Sequence, residues 1–266
     1  MKGILFGGCS FTWGQGLYFY SELPNLYNPK SIYKYKSYKV TTAQLKFKNT
    51  LYYPRLVANY FNTFEVVKEN NGGSEDKNFE FFRNIFKNER DFVSSYKLDK
   101  YTYEDFDYII VQLSAITRNK FNFNIKGVEF SCVMSNESKG ILEYMKFNNY
   151  TFEDCYEQFL NQQYNRLKAE LMFYESKGIK SKIVLWFDDL LSRIESDDFF
   201  KEKLITLNYD NKYFNTVWGM SNSYDEMRII SDPYFDKIKF NDAHPSKLLH
   251  RIIADSIITS IQNDLI

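Results

Sequence analysis

Cysteine is nearly absent from this chain: Cys9, Cys132 and Cys155 are the whole set in 266 residues. They are odd in number and lack metal-ligand or redox spacing, which argues against a disulfide framework and leaves reduced thiols. Histidine is scarcer still, with His244 and His250 alone, so any imidazole chemistry must run through one of these two. Five prolines and eleven glycines are too few for a flexible or Pro-rich linker, and there is no internal repeat or low-complexity tract. Net charge is also missing, with 34 Lys plus Arg against 34 Asp plus Glu. That balance gives no global attraction to nucleic acid or to a membrane surface, and neither is expected as a partner. No apolar stretch reaches bilayer length, and Gly3 to Phe6 is too short an apolar run for a signal peptide. The expected location is cytoplasmic or virion-associated, a phage particle or host lysis being needed to reach any substrate outside the cell.

What the chain has in plenty is aromatic residues, 25 Phe and 22 Tyr. At this length one well-buried domain over residues 1–266 is expected. Lys2 to Phe6 reads as a first strand, apolar on both faces as a central parallel strand is. Thr50 to Phe61 has helical spacing with Pro54 near its first turn, and Phe64 to Val67 reads as a second strand. Lys77 to Phe86 is helical by the spacing of Phe79, Phe82, Ile85 and Phe86. Asp107 to Leu113 is the clearest buried strand. Thr151 and Asp154 form a capping box that opens a long helix ended by Gly178. Ile183 to Phe187 reads as a further strand, and Ser246 caps a final helix whose inner side carries Leu249, Ile252, Ile253, Ile257 and Ile261. Strands alternating with helices in this way predict an α/β fold, a three-layer α/β/α sandwich around a central parallel sheet.

Three regions lack a regular apolar period and read as irregular excursions, near 18–50, 119–150 and 190–240. The first holds six lysines and six tyrosines between Tyr18 and Lys48 against one acid, Glu22. Such a stretch suits stacking on sugars or simple solvation above a site. In the third, Trp218 reads either as part of a cap over a pocket or as a core residue. Asp188 and Asp189, adjacent at a strand end, point apart and read as loop-capping residues rather than a ligand pair.

The chemistry-bearing stretch is Phe6-Gly7-Gly8-Cys9-Ser10-Phe11-Thr12-Trp13-Gly14-Gln15-Gly16. A strand ending in glycines and a serine presents a hydroxyl at a close-packed turn, with backbone N–H groups free to face a ligand. Glycine and serine are also ordinary loop residues, so the turn alone establishes little. Its counterpart is Asn241-Asp242-Ala243-His244-Pro245-Ser246, ahead of the terminal helix. A serine attacks an acyl carbon when a base takes its proton, and a carboxylate that fixes the base's tautomer completes the set. Ser10, His244 and Asp242 supply those three parts, while His250 reads as structural.

These two blocks resemble the first and last sequence blocks of the SGNH (GDSL-like) hydrolases, strongly at the chain's ends and weakly in its middle. The resemblance implies a flavodoxin-like sheet, Ser10 as nucleophile, His244 as general base and Asp242 as its orienting carboxylate. The family's usual spacing is D-x-x-H; here the carboxylate stands two before the histidine and Asn241 holds the third place. By position, Gly72 in Asn70-Asn71-Gly72-Gly73-Ser74 matches the glycine whose N–H helps hold the oxyanion, with Gly73 in reserve. A strand-to-helix loop accounts for the same glycines. The third block should read G-x-N-D, but Leu113 is followed by Ser114-Ala115-Ile116-Thr117-Arg118. Ser114 or Thr117 is left as hydroxyl donor and Arg118 as a partner for an anionic group, with Asn119 further along. Taken together these point to a serine esterase acting on an O-acyl, most simply O-acetyl, ester of a carbohydrate or small molecule, with no metal or organic cofactor. An O-acyltransferase using the same triad, or a degenerate SGNH domain serving as a carbohydrate-binding or assembly module, are the alternatives.

Overall fold

The strands that read as apolar on both faces are buried on both. The structure, a computed structural model, describes residues 1–8, 12, 17, 20, 42–67, 75–86, 101–113, 119–228 and 245–266. Its first half contains β1 (Gly3–Gly7), α1 (Thr42–Leu51), α2 (Tyr53–Tyr60), β2 (Glu65–Val67), α3 (Glu75–Ile85) and β3 (Phe106–Leu113). An antiparallel pair follows, β4 (Lys120–Ile125) and β5 (Val128–Val133), then α4 (Lys139–Asn148), α5 (Phe152–Ser176) and β6 (Lys180–Leu185). The rest is α6 (Leu191–Ser196), α7 (Asp198–Lys201), β7 (Leu207–Tyr209), β8 (Lys212–Phe214), α8 (Val217–Ser223) and α9 (Lys247–Asn263).

Four strands form a parallel sheet in the order β2-β1-β3-β6. Leu5 lies opposite Val66 on one side and Ile109 on the other, and Val111 opposite Ile183. Alternation along the strands sorts the side chains to two faces. Ile4, Phe6, Tyr108, Ile110, Val184 and Trp186 meet Tyr53 and Val57 of α2 and the inner side of α9. Leu5, Ile109, Val111, Ile183 and Leu185 meet Phe79 and Phe82 of α3 and Phe159, Leu167 and Leu171 of α5. The result is an α/β fold with helices on both faces of a parallel sheet, compatible with the three layers expected.

The helix ends follow from local chemistry. Thr151 Oγ1 accepts from Asp154 N at 3.1 Å while Thr151 N donates to Asp154 Oδ2 at 2.8 Å, which satisfies two otherwise orphaned donors of α5. Gly178 turns the chain after α5 at φ +84°, a conformation a Cβ disfavours. Ser246 Oγ accepts from Leu249 N at 3.3 Å and caps α9. The far end of α9 is tied to the amino-terminal halves of two strands. Tyr108 of β3 donates to Asp264 Oδ2 at 3.2 Å, and the buried ammonium of Lys182 on β6 meets Asp264 Oδ1 at 2.8 Å. The helix therefore runs antiparallel to the strands, and its N-terminus lies at their carboxyl ends.

Each of the three excursions contains regular structure. Residues 119–150 hold the β4–β5 hairpin and α4; Phe121 and Phe123 point inward while Lys120, Asn122 and Asn124 face out. The hairpin turn is Lys126-Gly127, both at positive φ, a two-residue geometry usually signalled by Asn-Gly. Residues 190–240 include α6, α7, the β7–β8 hairpin with its turn at Asp210-Asn211, and α8. Residues 18–50 end in α1, where Lys48 is buried and its ammonium sits 4.7 Å from the Tyr52 ring centroid, so it does not belong to a solvated basic face. The helix expected over Thr50 to Phe61 is two helices. Pro54 lacks the N–H to continue α1, and Tyr52, the N-cap of α2 two residues earlier, takes an extended ψ of 143°. Trp218 is 41% exposed rather than core. Cys132 and Cys155 are free thiols, and Cys9 lies outside the described residues. Among the described residues no helix is long and apolar enough to cross a membrane.

Asp197, the N-cap of α7, gives the fold an acid-sensitive point. Its carboxylate accepts from the Lys168 ammonium and the Tyr164 hydroxyl, and from Phe199 N at 2.9 Å. These bonds, the lysine's first, hold its pKa at about 2 against a usual 3.8. A carboxyl depressed on folding contributes stability that is complete above the unfolded value and is lost as pH falls through the folded one. Between pH 4 and 2 the urea midpoint of the wild type should therefore fall more steeply than that of Asp197→Asn; parallel curves would show that Asp197 carries none of the acid lability.

Candidate active site

At the carboxyl end of β1 the chain is gripped from three elements. The side-chain amide of Asn78, on α3, donates to Gly8 O at 2.9 Å and accepts from Gly8 N at 3.2 Å. Gly8 has no room for a side chain: a Cβ there would stand 1.8 Å from Thr12 Oγ1 and 3.1 Å from Gln112 Cβ. The space is filled by Thr12, whose hydroxyl donates to Gln112 Oε1 at 2.7 Å near the end of β3. Tyr53 OH donates to Thr12 Oγ1 at 3.1 Å. Thr12 is thus held in direct contact with Gly8 at the carboxyl edge of the sheet.

The first turn of α9 is linked to Thr12 through Tyr53. The backbone N–H of Tyr53 donates to His250 Nδ1 at 3.3 Å, and the two rings stack with centroids 5.8 Å apart. His250 is fully buried in this arrangement, the structural role expected of it. Upstream of α9, Pro245 forms an antiparallel bridge with Arg228, and Ser246 N donates to Met227 O at 2.9 Å. Lys247 N donates to the Tyr20 hydroxyl at 3.3 Å, bringing the chain beyond the first turn to the same place. Arg228 and Pro245 are accordingly side by side, at the end of α9 that faces the carboxyl ends of the strands.

Ser10, Asp242 and His244 all lie outside the described residues, as do Gly72, Gly73, Ser114, Thr117 and Arg118. What the structure places is the anchors from which their segments depart. Ser10 is bracketed by Gly8 and Thr12. The Gly72-Gly73 segment runs from the end of β2 to the start of α3. Ser114 to Arg118 run from the end of β3 to Asn119, and His244 directly precedes Pro245. All four segments leave or enter at the carboxyl edge of one sheet, where open α/β sheets hold their ligands. Asn119, the asparagine next along, is buried and its Nδ2 donates to Gln163 Oε1 at 3.0 Å, so its amide is turned toward α5.

A recess opens beside these segments, between the ends of β3 and β6 and the helices α3 and α5. Its walls are Phe79, Leu113, Leu167, Leu185, Phe187 and Leu190, and it encloses about 410 Å³ of empty space counted out to its open mouth. Gln163, also on the wall, is occupied: its Oε1 accepts from Asn119 and its Nε2 donates to Lys120 O at 3.1 Å. The partly exposed Arg166 and Asp189 bring charge to the lining. Asp189 Oδ1 accepts from Tyr156 OH at 2.9 Å, and burial, reinforced by that carboxylate, pushes Tyr156 up to about 12. Asp188 turns the loop through its carbonyl, which accepts from Leu191 N at 2.9 Å, so the two aspartates serve the loop separately. Among the described residues no His, Cys, Asp or Glu cluster could hold a metal ion.

Asn78, Thr12, Gln112 and Tyr53 were not singled out by the sequence pattern. One signal was present, since a glutamine in the apolar run of Asp107 to Leu113 is a buried polar group that needs a partner. The contact between Gly8 and Thr12 predicts its own sensitivity. Gly8→Ala forces Thr12 aside and should lower unfolding free energy by about 1–3 kcal/mol, the usual cost of overpacking, read from urea denaturation. A stability equal to wild type would mean that this contact is not formed as described.

No protein-family model matches the chain, and neither a curated protein nor a solved structure matches it.

Proposed function

We propose that the chain is a serine esterase with a flavodoxin-like, SGNH-type fold, hydrolysing an O-acyl ester, in the simplest case O-acetyl, on a carbohydrate. The observation that carries this reading is the bonded path Thr12–Tyr53–His250. It joins Thr12, two residues after Ser10 in sequence, to the first turn of the helix that His244 precedes, two segments more than two hundred residues apart in the chain. The strand order supports it as well. In the order β2-β1-β3-β6 the chain moves to one side of β1 and then to the other, and Ser10 follows directly from that strand's carboxyl end, at the switch point where such sheets bind ligands.

In this reading His244 removes the Ser10 proton as the hydroxyl oxygen bonds to the ester carbonyl carbon. Asp242 holds the imidazole in the required tautomer and stabilises the imidazolium. The N–H groups of Ser10 and Gly72, with Gly73 as the neighbouring alternative, stabilise the oxyanion, Ser114 or Thr117 takes the place of the third-block asparagine, and Arg118 binds an anionic substrate group or braces the loop. His244 then returns the proton to the departing alcohol. Water, deprotonated by His244, attacks the acyl-enzyme, and the carboxylic acid leaves as Ser10 is reprotonated. No metal or organic cofactor takes part.

With p-nitrophenyl acetate near pH 7.5 the wild type should turn over, and Ser10→Ala and His244→Ala should each lower kcat by at least about a thousandfold. A serine-directed fluorophosphonate should add one adduct, on Ser10. Absence of both turnover and adduct, in a protein shown to be folded, would remove the esterase reading.

A further inference from the structure

We propose that the recess between β3, β6, α3 and α5 receives the acyl group of the ester and restricts it to a short chain; this rests on the esterase reading. Two contacts place the recess beside the reacting centre. Its wall residue Phe79 is next in sequence to Asn78, whose amide grips the peptide of Gly8, two residues before Ser10. Its wall residue Leu113 is the last of β3, and Ser114 follows it. In the esterase reading the acyl tail enters this opening.

The lining suits a hydrocarbon group. Six walls are apolar, and Gln163 has its donor and acceptor engaged with Lys120 and Asn119, so the tail would not leave that amide unpaired. The depth is limited by packing. The next inward-facing residues along each wall, Val111 on β3, Ile183 on β6 and Leu171 on α5, are 0% exposed, so the walls meet directly below Leu113, Leu185 and Leu167. The recess is open at its mouth and closed at its floor, so it would take a short acyl group and stop a longer chain. The alcohol part of the ester would lie outward, toward the charged groups of Arg166 and Asp189 and the exposed Trp218, whose ring packs on Phe187 at 5.4 Å.

The test is a chain-length profile with p-nitrophenyl acetate, butyrate and hexanoate, run on the wild type, Leu190→Ala and Phe187→Ala, each checked for folding by circular dichroism and thermal melting. Phe187 is partly exposed and serves as the second variant should truncation of the buried Leu190 unfold the protein. For the wild type, kcat/KM should fall by at least about tenfold from butyrate to hexanoate, since the extra carbons meet the floor. In a folded variant the hexanoate-to-acetate ratio should rise by at least about tenfold. A wild type that prefers hexanoate, or variants with an unchanged ratio, overturns the acyl-pocket assignment and leaves the esterase reading intact. Failure of the folded wild type to cleave any of the three esters overturns the acyl-pocket assignment, and removes the esterase reading as well if no fluorophosphonate adduct forms.

Discussion

The interaction on which the candidate site depends is the exclusion of a side chain at Gly8. Thr12 occupies the volume where a Cβ would stand, and this lets one hydroxyl bond at once to Gln112 on β3 and to Tyr53 on α2. Three consequences meet in that contact. Thr12 is set against the end of β1, it is fixed to the neighbouring strand, and α2 is positioned to meet α9. A buried network of this kind holds one arrangement because every departure from it strands a polar group away from water. Asn78 completes it by satisfying both the donor and the acceptor of the Gly8 peptide.

The two faces of the sheet divide the work. On one face α2 connects Thr12, two residues after Ser10 in sequence, to the first turn of α9, which His244 precedes. On the other, α3 and α5 build the recess. Gly8 and Gln112 stand at the boundary between these halves, at the ends of adjacent strands, which is where a substrate held from both sides would be reached by both. The opposite edge of the sheet is closed by Asp264, Lys182 and Tyr108, which fix the direction of α9 and so decide which end of that helix faces the site.

Much of this was legible in the sequence, for reasons that differ by element. β1 and β3 announce themselves because parallel strands buried on both faces are continuous apolar runs, and α5 and α9 because Thr151, Asp154, Gly178 and Ser246 carry their capping chemistry locally. The hairpin at 120–133 was hidden because its turn is Lys126-Gly127 and its alternation spans only a few residues per strand. The basic composition of residues 18–50 concealed α1, whose Lys48 is buried against Tyr52. The grip of Asn78 on Gly8 and of Tyr53 on His250 could not be read at all, since nothing local in either residue names a partner so distant along the chain. The triad candidates themselves were found from their motifs, and the structure describes their anchors rather than the residues.

The bridge between Arg228 and Pro245 sets the two residues that flank 229–244 next to each other. Once its ends are fixed, the entropic cost of a loop grows only with the logarithm of its length, about 0.6 kcal/mol for each doubling. Insertion or deletion within this segment is therefore cheap in stability, and its anchor on the helix side is the residue adjoining His244. The length of chain between Arg228 and Pro245 can therefore change without disturbing α9, whose first turn is held independently by Tyr53 and Tyr20.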